Sequence, residues 1–266
     1  MACAVNDDVD RRPAVDSIAA AARALLQARQ SRQPAVAADT PLPDSAAAYA
    51  VQEAVARELG WFARSGPAHW KSGGASREAV LTHAPLPPDG VWTSPADARA
   101  WQFRLRGIEA ELALRLKCDV DEALALRLDA AAASELVDSL CVSIEIVDSR
   151  WAEGLSAPPL AKLADLQSHG ALILGAWVPF AARDWAQQDC RVTIGKRPVA
   201  KFCGSHALAD PLYGLPAWLR HATRGGNVLV AGSVVTTGTW CGLLDAAEGD
   251  HVMAEFPGIG RAAVQL

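Results

Sequence analysis

The run GIEAELALRL at residues 107–116 constrains the fold of this chain more than any other stretch. It is an apolar run that carries two glutamates, and short apolar runs between turns are typical of strands. In a strand, Glu109 and Glu111 share one face, with their Cα atoms about 6.5–7 Å apart. In a helix, the same two side chains point in different directions. As a strand, the run places two acids side by side.

Two adjacent carboxylates are costly to bury without a partner. A divalent cation removes that cost, and carboxylate oxygens favour Mg²⁺, Mn²⁺ or Ca²⁺ over zinc. A third acid, Glu145, lies between two isoleucines in CVSIEIVDSRW at 141–151. Three carboxylates from two strands are able to bind one ion and leave positions open for water and substrate. The residues alone leave two alternatives, a solvent-facing strand edge and one turn of an amphipathic helix.

Composition argues against several classes of protein. The chain has 266 residues, 51% of them hydrophobic and 21% charged, so we expect a packed core. Its net charge of −5 gives no electrostatic reason to expect a nucleic-acid partner. We expect no membrane partner either, because no apolar run approaches the roughly 20 residues of a membrane helix.

Cysteine usage and the N-terminus indicate the compartment. Six cysteines are scattered without a C-x-x-C pair, which argues against a zinc knuckle or a thioredoxin-type redox site. Residues 1–15 lack the pattern of a signal peptide. We therefore expect reduced thiols and a cytoplasmic protein.

The pattern of apolar residues and turn residues changes near residue 66. Before it, residues 16–31 and 46–62 have apolar positions at helical spacing, with Asp16 and Ser45 as candidate N-caps. After it, short apolar runs alternate with turns that contain glycine or proline. We expect strands at 107–116, 141–148, 170–179, 190–200, 227–237 and 250–256, and helices at 121–140 and 211–223.

This pattern predicts an α+β fold in two regions. Residues 1–66 form an N-terminal helical region packed on the core. Residues 67–266 form a β-rich domain with inserted helices.

Several ordered motifs resemble the fumarylacetoacetate hydrolase superfamily, most closely its branch of 2-keto-4-pentenoate hydratases and 4-oxalocrotonate decarboxylases. The similarity covers almost the whole chain and implies the mixed β-roll of that family. The motifs are DSAAAYAVQEAVARELG at 44–60, AHWKSGG at 68–74, GIEAELALRL at 107–116, SIEIVDSRW at 143–151, AGSVVTTGT at 231–239, and the segments 210–232 and 248–266.

The resemblance implies a metal centre and a catalytic lysine. The metal-binding acids of the family match Glu109, Glu111 and Glu145, which implies bound Mg²⁺ or Mn²⁺. Lys71 in HWKSGG matches a lysine of the family. A lysine beside a metal-bound 2-oxo acid stabilises enolate charge or holds the substrate carboxylate. The alternative for Lys71 is a solvated surface lysine.

Two further candidates for catalysis come from weaker matches. Asp89 in PPDGVW matches the Pro-Asp-x-Gly turn of the family, without its aromatic residue, and is a candidate acid/base group. An ordinary Pro-Asp-Gly turn is the alternative. Ser168 in ADLQSHG is a candidate for orienting water or substrate, although Leu166 and Gln167 depart from the ADNAS sequence of the family.

The substrate-binding turn and the histidines complete the candidates. The family's Thr-Gly-Ser/Thr turn, which commonly faces the substrate, matches Thr237, Gly238 and Thr239. We expect Trp240 to pack in the core. Four histidines have no ligand spacing and are expected to be structural or surface residues: His169, His206, His221 and His251.

The activity implied by the resemblance is hydration of a 2-hydroxy-2,4-dienoate to a 4-hydroxy-2-oxo acid during the breakdown of aromatic compounds. The expected partner is a small 2-oxo or 2-hydroxydienoate acid. A homo-oligomer is expected because members of the family commonly assemble.

Three alternatives to hydration remain open. One is a 4-oxalocrotonate-type decarboxylase of the same branch. Another is a C–C hydrolase or lyase of the wider superfamily, although the N-Y-x-x-H-x-x-E motif of its C–C hydrolases is absent. The third is a metal-binding member of the family without activity, which the departures at Ser72, Leu166 and Gln167 motivate.

Overall fold

Two N-terminal helices precede a strand-rich region with inserted helices in the structure of the protein, a computed structural model that describes residues 11–63 and 66–266. The described helices are α1 (Arg11–Ser31), α2 (Ser45–Glu58), α3 (Glu122–Ala125), α4 (Ala130–Ser134), α5 (Pro159–Ala164) and α6 (Leu215–Thr223). The described strands are β1 (His69–Gly73), β2 (Thr82–Pro85), β3 (Val91–Thr93), β4 (Ala96–Asp97), β5 (Gly107–Leu116), β6 (Val137–Val147), β7 (His169–Leu174), β8 (Val178–Pro179), β9 (Asp189–Ile194), β10 (Ala200–Cys203), β11 (Val234–Thr236), β12 (Leu244–Asp245), β13 (His251–Phe256) and β14 (Gly260–Gln265).

The predicted α+β class, with inserted helices, is therefore confirmed. None of the helices described in 11–63 and 66–266 is both long and apolar enough to cross a membrane. The expectation that the N-terminus carries no signal peptide falls largely on residues 1–10, which lie outside the described residues.

Two compact units make up the chain. The helical unit contains Met1–Trp61 and Ser149–Ser168, and the sheet unit contains Phe62–Asp148 and His169–Leu266. This division differs from the predicted boundary at residue 66, because a segment from the middle of the chain joins the N-terminal helices. The packing of the helical region on the sheet domain stays a prediction.

Within the helical unit, the segment 149–168 is held by both apolar and polar contacts. Trp151 is fully buried in the core formed with α1, α2 and α5, and its Nε1 donates a hydrogen bond to the Ala161 carbonyl at 2.8 Å. The buried Asp165 accepts hydrogen bonds from Arg150 Nε at 2.6 Å and from Arg29 Nη2 at 3.3 Å. These contacts explain why the segment belongs with the N-terminal helices.

Both predicted helix caps are wrong. Helix α1 begins at Arg11, so Asp16 lies inside it. Helix α2 is capped one residue earlier than expected, because the Asp44 carboxylate accepts a hydrogen bond from the Ala47 amide at 2.8 Å. Asp44 is extended at this position and meets the requirement for an N-cap, whereas Ser45 is already helical.

In the sheet unit, two mixed sheets contribute to one hydrophobic core. The larger sheet has the strand order β2-β1-β11-β5-β6-β7-β3, with β12 paired to β5 and β8 paired to β6. The smaller sheet has the order β10-β9-β13-β14-β4. Buried side chains of both sheets and of α6, among them Leu112, Val252 and Trp218, form that core.

Central strands of the larger sheet carry the acids and the lysine that the sequence marks as candidate site residues. Strand β5 has the predicted bounds and pairs antiparallel with β6, which places Glu109 opposite Glu145. On its other side β5 pairs with β11, which in turn pairs parallel with β1, so that Lys71 lies opposite Thr236. Four adjacent strands therefore carry the polar residues of one region.

The predicted long helix at 121–140 is wrong. Asp121 and Asp129 each accept a hydrogen bond from the amide three residues later, at 2.7 and 2.9 Å. Each therefore caps a short helix of its own, α3 and α4. From Val137 onward the chain pairs with β5 instead, since hydrogen bonding across the sheet replaces the helix.

A β-bulge interrupts the ladder between β6 and β7. Ile146 pairs with Ala171, whereas Val147 pairs with His169, so Gly170 is an extra residue. A Cβ on Gly170 would lie 2.6 Å from the Ile146 carbonyl oxygen, which leaves no space for a side chain. The bulge turns His169 onto the face of Val147, which is also the face of Glu145.

We expect Gly170→Ala to destabilise the protein by about 1–3 kcal/mol, because overpacking a close contact forces the backbone to shift. The measurement is the free energy of unfolding in denaturant. Gly214→Ala is the matched control, since a Cβ there meets no atom nearer than 3.5 Å. Equal stabilities of the two variants would show that the bulge does not require glycine.

Candidate active site

The structure brings together the three predicted acids of β5 and β6. One carboxylate oxygen from each of Glu109, Glu111 and Glu145 lies within 4.8 Å of the other two. Glu145 is fully buried and Glu111 is 2% exposed. Direct pairing of Glu109 with Glu145, and the two-residue spacing to Glu111, produce this convergence.

Glu111 is held by the last residue of β11 and by the turn that follows this strand. Its Oε2 accepts a hydrogen bond from Thr236 Oγ1 and another from the Gly238 amide at 3.1 Å. Thr236 Oγ1 also lies 3.0 Å from Ser143 Oγ on β6. Gly238 has a φ of 105°, which glycine adopts readily and other residues rarely do. The turn therefore aims a backbone donor at the carboxylate.

Glu145 receives two donors on the same oxygen. Lys71 Nζ lies 2.5 Å from Glu145 Oε1, and His169 Nδ1 lies 3.0 Å from it. The second oxygen, Oε2, is buried and has no hydrogen-bond partner in the part of the chain that the structure describes. A buried carboxylate oxygen without a partner indicates a ligand position.

Burial and mutual repulsion raise the pKa of two of the carboxyl groups. Burial, with the charges of Glu111 and Glu145, raises the pKa of Glu109 to about 8. Burial, with the charge of Glu145, raises the pKa of Glu111 to about 7. These two acids therefore hold protons near neutral pH unless a cation replaces them.

Lys71 and Glu145 form a buried ion pair. Burial by itself raises the pKa of Glu145, but the charge of Lys71 and the hydrogen bond from His169 outweigh it and lower that pKa below its usual value. Burial likewise disfavours the charged form of Lys71, yet its attraction to the three carboxylates outweighs burial and raises the ammonium pKa. Lys71 therefore remains protonated.

This donor set fits a hard divalent cation. When ionised, the three carboxylates exceed the single lysine by two negative charges, which a divalent ion balances. All three candidate ligands are oxygens, as Mg²⁺, Mn²⁺ and Ca²⁺ prefer. Glu145 Oε2 offers lone pairs that no described group of the protein uses.

The remaining candidates of the Thr-Gly-Thr turn use their hydroxyls within the fold. Thr237 Oγ1 donates to the Leu112 carbonyl at 2.8 Å, and Thr239 Oγ1 donates to the Gly242 carbonyl at 2.8 Å. The substrate-binding roles of Thr237, Gly238 and Thr239 stay predictions. As expected, Trp240 is buried in the core.

Asp89 is exposed, in the short turn Pro88–Gly90 before β3. Val91 and Glu145 both pair with Leu172 of β7. The start of β3 therefore lies two strands from Glu145, which corresponds to about 10 Å. A role of Asp89 in proton transfer stays a prediction.

Ser168 belongs to the helical unit and ends an unusual turn. Leu166, Gln167 and Ser168 have φ angles of 53°, 55° and 57°, a left-handed conformation that is uncommon outside glycine. The Ser168 hydroxyl is buried and has no hydrogen-bond partner among the described residues. Strained residues cluster at functional sites, which keeps Ser168 a candidate, but its role stays a prediction.

Sequence reasoning missed Thr236 and two histidines. Thr236, not Thr237, donates to Glu111, and it was passed over because the motif match begins one residue later. His206 Nδ1 accepts from the Leu208 amide, so its Nε2 donates to the Thr237 carbonyl at 2.9 Å and holds the turn. His169, expected to be structural or on the surface, contacts Glu145. No local spacing predicts either histidine contact.

The architecture and the acidic cluster agree with a family assignment. A family model described as the fumarylacetoacetate (FAA) hydrolase C-terminal domain matches residues 69–266. The match covers well over half of the chain, and this chain belongs to that family. The resemblance inferred from the motifs is thereby confirmed.

Among solved structures, the chain is similar to 4-oxalocrotonate decarboxylase from Pseudomonas putida G7, described in complexes with magnesium and adipate and with calcium and acetate. The sequence identity is 19%, the TM-score is 0.78, and the alignment covers 94% of this chain and 97% of that one. A candidate fumarylpyruvate hydrolase from Burkholderia cenocepacia is 18% identical, with a TM-score of 0.52 and coverage of 76% and 89%. This likeness confirms the predicted fold.

We expect the stability of the chelator-stripped protein to fall as the pH rises from 6 to 8.5. The raised pKa values mean that the folded chain retains protons on Glu109 and Glu111 that the unfolded chain has released. The stabilisation is complete below the unfolded pKa and is lost as the pH rises through the folded values. Saturating Mg²⁺ should raise the melting temperature most at pH 8.5. A double variant with Glu109→Gln and Glu111→Gln should lose this dependence of stability on pH. If Mg²⁺ raised the melting temperature equally at pH 6 and pH 8.5, the assignment of these acids as metal ligands would be contradicted.

Proposed function

We propose that this chain is a divalent-metal-dependent hydratase that converts a 2-hydroxy-2,4-dienoate to a 4-hydroxy-2-oxo acid. The single observation that carries the proposal is the cluster of Glu109, Glu111 and Glu145, the last two buried, with Lys71 on its edge. A cation held by three carboxylates, with a neighbouring ammonium group, matches a substrate that has a carboxylate beside a 2-oxygen. Mg²⁺ or Mn²⁺ is the proposed ion.

Glu109, Glu111 and Glu145 would hold the ion, and hydrogen bonds orient the carboxylates of Glu111 and Glu145 before it binds. When bound, the ion supplies Lewis acidity toward the carboxylate and 2-oxygen of the substrate. Thr236 and the Gly238 amide keep Glu111 oriented, so that little rearrangement accompanies binding. Such preorganisation lowers the barrier to reaction.

Lys71 acts as a fixed positive charge rather than as a base. Its ammonium pKa is raised by the carboxylates, so it has no lone pair to accept a proton near neutral pH. It donates a hydrogen bond to Glu145 and, in the proposed complex, another to the substrate carboxylate or enolate oxygen. Stabilising that oxygen favours addition of water at C4.

Proton transfer requires a further group. Asp89 is the proposed acid/base residue, and Ser168 is proposed to orient the water. Hydration places the oxygen of water on C4 together with one of its hydrogens. The other hydrogen of water and the hydrogen lost from the 2-hydroxyl end on C3 and C5, so that one water is consumed and a 2-oxo group forms. We also propose that the chain forms a homo-oligomer, as the family resemblance implies.

Turnover of 2-hydroxypenta-2,4-dienoate tests the proposal. Chelator-stripped protein should form 4-hydroxy-2-oxopentanoate only after Mg²⁺ or Mn²⁺ is added. Glu111→Gln should abolish turnover and weaken metal binding, because a ligand charge is lost. Glu255→Gln, an exposed carboxylate on β13 changed in the same way, is the matched control and should be unaffected. Equal product formation with and without metal would overturn the proposal.

Lys71→Met tests whether the positive charge of Lys71 contributes to catalysis. We expect kcat/KM to fall about 100-fold or more, because one preorganised donor is removed. Metal binding at a stoichiometry of one should persist, since the three carboxylates remain. Lys201→Met, an exposed lysine on β10, is the control. The assay uses metal-saturated protein, because loss of the ion pair removes the charged partner of Glu145 and leaves it the hydrogen bond from His169. A variant with undiminished kcat/KM would remove Lys71 from the mechanism.

A second candidate activity is decarboxylation of a 4-oxalocrotonate-type diacid. The similarity over 94% of this chain to the Pseudomonas putida decarboxylase favours it, and the same enolate stabilisation serves both reactions. Carbon dioxide release from 4-oxalocrotonate, compared with hydration by the same preparation, separates the two. Decarboxylation without hydration would replace the proposed reaction.

A further inference from the structure

Glu145 depends on two donors that differ in kind. Lys71 Nζ and His169 Nδ1 both donate to Oε1, at 2.5 and 3.0 Å. Lys71 is attracted by all three carboxylates and, in the proposed mechanism, also by the substrate. His169 is 2% exposed and its ring has only two rotatable bonds. Of the two donors, the imidazole is the rigid one.

The sheet fixes the imidazole in this position. The bulge at Gly170 turns His169 onto the face of Glu145, and the Ile146 carbonyl leaves no room for a side chain at Gly170. On its other side, Nε2 of His169 lies 3.8 Å from the position of a Cβ on Gly90. The ring is therefore bounded by Glu145 and by the turn that carries Asp89.

We propose that His169 is a positioning residue that sets the affinity of the site for its divalent ion. Its Nδ1–H holds Oε1, which leaves Oε2 as the oxygen available to the ion. When an anionic substrate shares the donors of Lys71, His169 keeps Glu145 in the same orientation. This inference rests on the metal site of the proposed function, but not on the reaction that it catalyses.

The chemistry of the contact determines the tautomer. A carboxylate oxygen only accepts hydrogen bonds, so Nδ1 carries the proton that lies between the two groups. Hydrogen bonds to a ligating carboxylate orient it, and loss of such an outer partner typically costs 10–100-fold in metal affinity or activity. His169 therefore acts through Glu145 without contacting the ion.

The test compares His169→Asn with His169→Leu in the full-length chain. The two side chains have nearly the same shape, but only asparagine places an N–H donor where Nδ1 stands. We expect His169→Leu to weaken Mn²⁺ binding by about 10–100-fold, and His169→Asn to remain within about threefold of the wild type. The dissociation constant is measured by titration with Mn²⁺ alone, following the free ion by electron paramagnetic resonance.

Two further variants make the result decisive. His251→Leu changes an exposed histidine on β13 and should bind Mn²⁺ as the wild type does. His169→Gln keeps an amide but places it farther along the side chain, beyond the position of Nδ1. If His169→Leu does not fold, we expect His169→Gln to bind Mn²⁺ at least about tenfold more weakly than His169→Asn.

Kinetics provide a second readout. For His169→Leu we expect the metal requirement and KM to rise, with a smaller change in kcat at saturating Mn²⁺. Equal Mn²⁺ affinities for the wild type and His169→Leu, or for His169→Asn and His169→Gln, would overturn the inference while leaving the proposed function intact. Loss of Mn²⁺ affinity in His169→Leu, with no turnover by the wild type, would support the inference and overturn the function. A wild type that binds no divalent ion would overturn both.

Discussion

The accumulation of negative charge inside the sheet unit is the constraint on which the rest of the site depends. Three carboxylates converge within 4.8 Å, and one ammonium group accompanies them. The pKa of Glu109 and of Glu111 is raised, and that of Glu145 is lowered, so the charge is divided unevenly among the three. A divalent cation held by the three carboxylates would offset this charge, which explains how the fold tolerates an arrangement that is costly without an ion.

The sheet maintains this arrangement through long-range pairing. Glu109 and Glu145 are neighbours because β5 and β6 are in register, and Lys71 reaches them from β1, which is joined to β5 only through β11. Hydrogen bonds from Thr236 and Gly238 then define the orientation of Glu111. Donors from three different strands, or from the turn at a strand's end, therefore converge on two of the carboxylates and orient them before a ligand binds.

The sequence predicts those features that depend on local periodicity. The alternation in 107–116 predicts the bounds of β5 and the common face of Glu109 and Glu111. Helical spacing likewise predicts the two N-terminal helices. Their predicted caps, Asp16 and Ser45, are wrong because α1 begins earlier, at Arg11, and Asp44 caps α2. Local periodicity does not predict contacts between residues that are far apart in the sequence. Strand pairing with β5 replaces the end of the helix predicted at 121–140. His169 faces Glu145 only because of a bulge at Gly170.

The positions of Ser72, Leu166 and Gln167, which depart from the family pattern, show whether these departures affect the acidic cluster. Lys71 is directed to the carboxylates, whereas Ser72 is on the opposite face by strand alternation and lies 2.9 Å from His83 Nδ1. The serine therefore lies on the face of the strand away from the acidic cluster and does not alter the charge balance of that cluster. Leu166 and Gln167 lie in the left-handed turn of the helical unit, and neither is one of the three acids or the lysine. The observed departures thus spare the three acids and the lysine, which favours retained metal chemistry over a binding protein without activity.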